Sequence, residues 1–164
     1  MIGRYLGLSI LLAFSVASGN AWSYDADLAA SYERLFSPAV GAQAGKALHL
    51  MEAPALVEKI QAGEPMVLLD IRTPAETMIF APTLPGSLII PMNELFTAEN
   101  LARLPADRPL VVLCQSGARA VAAGTALRHI GFDRVFIVKG GFRALNEDLD
   151  AKTANAPAGA GKGR

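Results

Sequence analysis

Three apolar runs punctuate the chain: Met66–Leu69, Leu110–Leu113 and Val135–Val138. None alternates with polar positions. Strands buried on both faces read this way, as in a parallel sheet covered by helices. Ser87–Ile90, closed by Pro91, is a further run, and Ala47–Met51 is read as the first strand. Helical spacing fills the stretches between. Pro54–Gln61 has Pro near its start and Gly63 just past its end, the usual asymmetry of a helix. Asn93 is placed as the cap of a helix running to Leu104. Ala120–Ile130 is a helix stopped by Gly131, and a last one runs from Phe142 to Leu149. Upstream, Asp27–Phe36 puts Leu28, Tyr32 and Leu35 on one helical face, ends at Ser37-Pro38, and joins the rest through the small-residue stretch Gly41–Gly45. Strands alternating with helices imply βαβ units. The expected fold is therefore α/β, an open sheet of four to five mainly parallel strands with helices on both faces. Ligands of such sheets bind beyond the carboxyl ends of the strands.

Length and charge set the frame around this pattern. A chain of 164 residues is one domain's worth. The amino terminus reads as a secretory signal peptide over residues 1–21. Arg4 supplies the positive start, Leu6–Ala17 is an uncharged apolar run, and Gly19-Asn20-Ala21 offers small residues for cleavage. The apolar run is shorter than the roughly 20 residues a membrane span needs, although an uncleaved anchor is the alternative. The expectation is a mature chain in the periplasm or outside the cell, with no stable membrane insertion. Residues 22–45 then form an N-terminal helix and linker, 46–150 the main domain, and 151–164 a disordered basic tail carrying Lys152, Lys162 and Arg164. The formal charge of zero hides a division: residues 22–150 hold 11 basic and 15 acidic side chains, a net −4. That balance excludes the basic footprint of a nucleic-acid binder.

The single cysteine, Cys114, narrows the chemistry further. It cannot close an internal disulfide, form a Cys-only zinc site or make a CxxC redox pair. It stands at the carboxyl end of the Leu110–Leu113 strand and opens the stretch Gln115, Ser116, Gly117, Ala118, Arg119, directly before a helix. A loop leading onto a helix amino terminus points several backbone N–H groups at one spot, which favours an anion. It also favours thiolate over thiol. Gly117 lets the loop curl, and Arg119 adds a fixed positive charge at the rim.

The Cys114-Gln-Ser-Gly-Ala-Arg119 segment resembles the active-site loop of the rhodanese (thiosulfate sulfurtransferase) family, Cys-x-x-Gly-x-Arg. Leu68-Leu-Asp-Ile-Arg-Thr-Pro-Ala-Glu76 resembles the family's first signature, Pro85-Gly-Ser-Leu-Ile-Ile-Pro91 its Pro-Gly strand, and Lys139-Gly-Gly-Phe142 its terminal glycine pair. Departures exist: Pro82-Thr83-Leu84 replaces Gly-His-Ile, extra residues follow Glu76, and Gln115 follows the cysteine where thiosulfate-preferring members often carry Arg or Lys. The resemblance implies a single-domain sulfurtransferase that needs no metal and no cofactor. Cys114 takes sulfur from a small anionic donor such as thiosulfate and passes it, from a persulfide, to cyanide or a thiol. Backbone N–H groups of Gln115, Ser116, Gly117, Ala118 and Arg119 stabilise the anion. Arg119 orders the loop or binds the donor. For Arg72 two readings stay open, a pocket residue or a salt bridge to Glu76. Asp70 is expected to be structural, bonding backbone near the loop.

Three rivals remain. Phosphatases of this fold use Cys-x5-Arg, a loop one residue longer than the Cys114–Arg119 stretch. A Cys–His hydrolase would need His129, which lies ten residues beyond Arg119 at the far end of the same helix, or His49, which no motif supports. Both are read as surface or packing residues. The third is a sulfur-carrying or binding module with little turnover, docking on a periplasmic protein partner through the Asp27–Phe36 helix.

Overall fold

The computed structural model describes residues 23–149 and 151–155. The expected signal peptide and most of the expected basic tail lie outside the described residues. Five strands form one sheet: β1 (Leu50–Met51), β2 (Val67–Asp70), β3 (Leu88–Ile89), β4 (Leu110–Leu113) and β5 (Val135–Val138). Their spatial order is β1-β5-β4-β2-β3, and every pairing is parallel. Leu69 pairs with Val112 and Leu88, and Leu110 with Val135, so β2, β4 and β5 end together. The strands β2 and β4 are buried along their whole length.

Seven helices accompany it: α1 (Ala26–Phe36), α2 (Ala53–Gln61), α3 (Pro74–Ile79), α4 (Ala98–Leu101), α5 (Ala118–His129), α6 (Gly141–Asp148) and α7 (Ala151–Ala154). Two apolar cores result. On one face Ala120, Ala123 and Leu127 of α5 pack on Leu69, Val112 and Ile137. On the other, Leu56 and Val57 of α2 and Leu145 of α6 pack on Leu68, Val111 and Val138. Helices thus cover both faces, as a doubly buried parallel sheet requires. Among the described residues no helix is long and apolar enough to cross a membrane.

Several boundaries differ from expectation, each for a local reason. Residues Lys46–Leu48 form a 3-10 turn, and His49 takes a left-handed conformation (φ 51°) before β1, which shortens the first strand to two residues. The helix expected from Asn93 is a run of turns. Thr97, whose hydroxyl accepts from the Asn100 N–H, caps a helix of only four residues. At the carboxyl end Ala151–Ala154 is a helical turn where a disordered tail was expected. Helix α3 was not anticipated. It starts with a capping box in which Thr73 and Glu76 satisfy each other's N–H groups, with Pro74 at its first position.

Candidate active site

Cys114 lies one residue beyond β4 and is fully buried. The chain then turns through exposed Gln115 and Ser116 to Gly117, which caps α5 at φ 89°. That left-handed conformation suits glycine. It turns the Gly117 N–H back onto Cys114 Sγ at 3.2 Å. Of the five backbone donors expected around the sulfur, this is the one in hydrogen-bond contact with it. Helix α5, twelve residues long, aims its positive end at the same spot.

The other side of the loop is fastened by α6. The Phe142 N–H donates to the Cys114 carbonyl at 2.8 Å and the Arg143 N–H to the Gln115 carbonyl at 3.1 Å. Gly141, at φ 63°, makes the approach possible: a Cβ there would stand 2.3 Å from the Cys114 carbonyl oxygen and 2.7 Å from the Gly117 nitrogen. These are backbone atoms with no room to yield. The glycine pair after β5 is thus the seat on which the cysteine loop rests.

Arg119 and Glu76 close the rim. Arg119 Nη2 and Nη1 donate to the two Glu76 oxygens at 2.6 and 2.9 Å, joining α5 to α3 across 43 residues of sequence. The hydrogen-bonded Arg119 guanidinium, helped by the Thr73 N–H, holds the Glu76 carboxyl down at about 2. Arg119 is in turn raised above its ordinary value, first by Glu76 and also by the field of Cys114. The Arg119 charge is therefore largely engaged before any donor arrives.

Arg72 corrects an expectation. It neither pairs with Glu76 nor lines an open pocket. It is fully buried, as is Asp70, and the two form a forked pair with Nη2 to Oδ2 at 2.7 Å and Nε to both carboxylate oxygens at 3.0 Å. Asp70 also accepts from the Arg72 N–H. Asp70 was expected to bond backbone near the loop; its side chain bonds Arg72 instead, at the guanidinium and the N–H. The Arg72 guanidinium lies 4.2 Å from the Phe142 ring centroid and donates to the Phe80 carbonyl at 2.8 Å. Phe80 stacks on Phe142 with centroids 4.9 Å apart. The buried cation thereby supports the residue whose N–H holds the Cys114 carbonyl. Phe80 is a site residue that sequence reasoning did not single out, while Glu76, Gly141 and Phe142 stood in quoted motifs without these partners. For Glu76 the Thr-Pro-x-Glu start of α3 was the available signal.

Neither histidine approaches the cysteine. His129 sits at the end of α5 under Tyr32, and His49 Nδ1 meets the Val135 carbonyl. Among the described residues no cluster of His, Cys, Asp and Glu could hold a metal.

The family model for the rhodanese-like domain matches residues 52–148. The chain belongs to the rhodanese-like family. A sulfurtransferase from Allochromatium vinosum is 34% identical over 94 residues, which cover 57% of this chain and 84% of that protein. The crystal structure of a rhodanese-related protein from Thermoplasma volcanium matches with 29% identity and a TM-score of 0.52, over 60% of this chain and 91% of its own. The human single-domain sulfurtransferase TSTD1 matches with 25% identity and a TM-score of 0.52, over 62% and 98%. These relatives agree with a sulfurtransferase class for this rhodanese-like domain, and the parallel sheet with helices on both faces is the fold they share.

Proposed function

We propose that this protein moves a sulfane sulfur through a persulfide on Cys114. The observation that carries the reading is the Gly117 N–H on Sγ at 3.2 Å, at the amino end of α5. A backbone N–H and a helix amino end at one spot suit an anion. In the first half-reaction the thiolate attacks the outer sulfur of thiosulfate. An S–S bond to Cys114 forms, the donor's S–S bond breaks, and sulfite leaves with the electron pair. In the second, cyanide or a thiolate attacks the outer sulfur of the persulfide. The electron pair of the broken bond returns to Cys114, and thiocyanate or a product persulfide leaves. Both halves are displacements without net redox change, so one cysteine suffices. The free N–H groups of Gln115, Ser116, Ala118 and Arg119 are the donors for the longer persulfide anion.

Intact mass after incubation with thiosulfate or polysulfide tests this. The expected gain is one sulfur atom, removed by cyanide and absent in Cys114→Ser. No gain with any sulfane donor overturns the proposal. Residues 1–21 support export with cleavage near Ala21. A mature periplasmic chain beginning at Trp22 by amino-terminal sequencing is the expected result, and an intact amino terminus would contradict it.

A further inference from the structure

Segment 76–80 is held beside the cysteine loop by polar contacts. Glu76 is bonded to Arg119, and the Phe80 carbonyl accepts from buried Arg72. Helix α3 buries none of its residues. Three successive large apolar side chains consequently face water: Met78 is 83% exposed, Ile79 77% and Phe80 45%. The Phe80–Phe142 stack carries this apolar edge across to α6.

The next residue, Arg143, is exposed and forms no ion pair among the described residues, while its N–H holds the Gln115 carbonyl. The neighbouring cations are committed: Arg119 to Glu76, Arg72 to Asp70 and Lys139 to Glu52. The cysteine loop is thus flanked by an apolar side at the end of α3 and a cationic side at the start of α6.

A small acceptor such as cyanide would reach the sulfur inside the loop and cover neither Met78 nor Ile79. Contiguous apolar side chains beside a site mark a macromolecular contact. Building on the sulfur-transfer reading above, we propose that the acceptor is a thiol on an extended protein segment. Its apolar side chains would cover Met78, Ile79 and Phe80, and a carboxylate would pair with Arg143. The segment is extended because Cys114 is fully buried, so the thiol has to project. The partner's thiolate attacks the outer persulfide sulfur, the bond to Cys114 breaks with its electron pair returning to Cys114, and the partner leaves as the persulfide.

Three acceptors test this on thiosulfate-loaded protein: a cysteine peptide flanked by Leu and Phe on one side and Glu on the other, a Ser/Gly-flanked control peptide, and cyanide. The apolar–acidic peptide should exceed the control by about tenfold or more in kcat/KM, the scale of a few buried contact residues. Each rate is divided by the same variant's cyanide rate, so a general defect cancels. In Met78→Ser/Ile79→Ser the advantage should vanish. Arg143→Glu should weaken it and favour a peptide with Lys in place of Glu. Equal peptide rates in the unmodified protein, or an advantage that survives the double substitution, overturns the docking surface and leaves sulfur transfer standing. Failure to release sulfur to any of the three acceptors overturns both.

Discussion

The two helices that flank the cysteine loop are built in opposite ways. Helix α5 lies on the sheet by close packing. Ala120, Ala123 and Gly124 are buried, and a Cβ on Gly124 would meet the Ile137 side chain at 2.8 Å. Helix α3 buries nothing and is held by a capping box, an ion pair and one carbonyl. Packing responds to volume and hardly to salt. Partly exposed ion pairs respond to salt and pH. The wall that carries Cys114 is therefore fixed, and the wall that presents Met78 and Ile79 is adjustable.

The largest effect should come from the buried Asp70–Arg72 pair, which holds the end of α3 through the Phe80 carbonyl. Arg72→Leu leaves Asp70 charged in the core and removes the donor to Phe80. Breaking such a pair costs about 3–5 kcal/mol, measured as a fall in urea unfolding free energy. The double substitution Asp70→Leu/Arg72→Met should recover much of it, because no lone charge remains. A loss below about 1 kcal/mol for Arg72→Leu would mean that water reaches the pair.

Next in size is the packed wall. Gly124→Leu forces a side chain into Ile137, and overpacking of this kind costs about 1–3 kcal/mol. The loss should be the same at low and high salt. A salt-dependent loss would remove the contrast between the walls.

The polar wall gives a smaller effect with a distinct signature. The Glu76 carboxyl is lowered from 4.5 to about 2, chiefly by Arg119. A depressed carboxylate contributes stability above its unfolded value, and the contribution is lost as pH falls towards the folded one. The window is therefore about pH 4.5 down to 2. The full shift converts to about 3 kcal/mol at 1.36 kcal/mol per unit. Solvent screens this bridge, whose side chains are 28% and 35% exposed, so about 1 kcal/mol is expected. Glu76→Gln should cost that much at pH 7, flatten the acid limb of the stability curve, and matter less in high salt. An unchanged acid limb would show that Arg119 does not hold the carboxylate.

The contrast between the walls also explains what the chain disclosed beforehand. Leu110–Leu113 and Val135–Val138 were read to the residue because strands buried on both faces are unbroken apolar runs. Cys114 and its loop were legible for the same reason, standing at the end of such a run. Helix α3 was not, since a helix with no buried residue has no apolar stripe to detect. The Glu76–Arg119 bridge spans 43 residues, and Arg72 chose Asp70, two residues away, over Glu76, four residues away. Which cation meets which carboxylate depends on tertiary placement that spacing does not encode. Helix α1 was visible from its apolar face, yet none of that face is buried.

That helix supplies the smallest predicted effect and the sharpest control. Helix α1 rests on α5 through Tyr32, stacked on His129 with centroids 4.1 Å apart and planes within 4°. Ser31 Oγ donates to the Leu28 carbonyl at 2.6 Å, so its lone pair accepts from His129 Nε2 at 3.0 Å. Tyr32→Ala should cost about 0.5–1.5 kcal/mol, felt as faster amide exchange across residues 26–36. Sulfur loading on Cys114 should not change, because Tyr32 touches α5 only at its last residue, His129, at the end far from Cys114. If Tyr32→Ala slowed loading, α5 would be transmitting strain from its end to its beginning, and the packed wall would not be the fixed one.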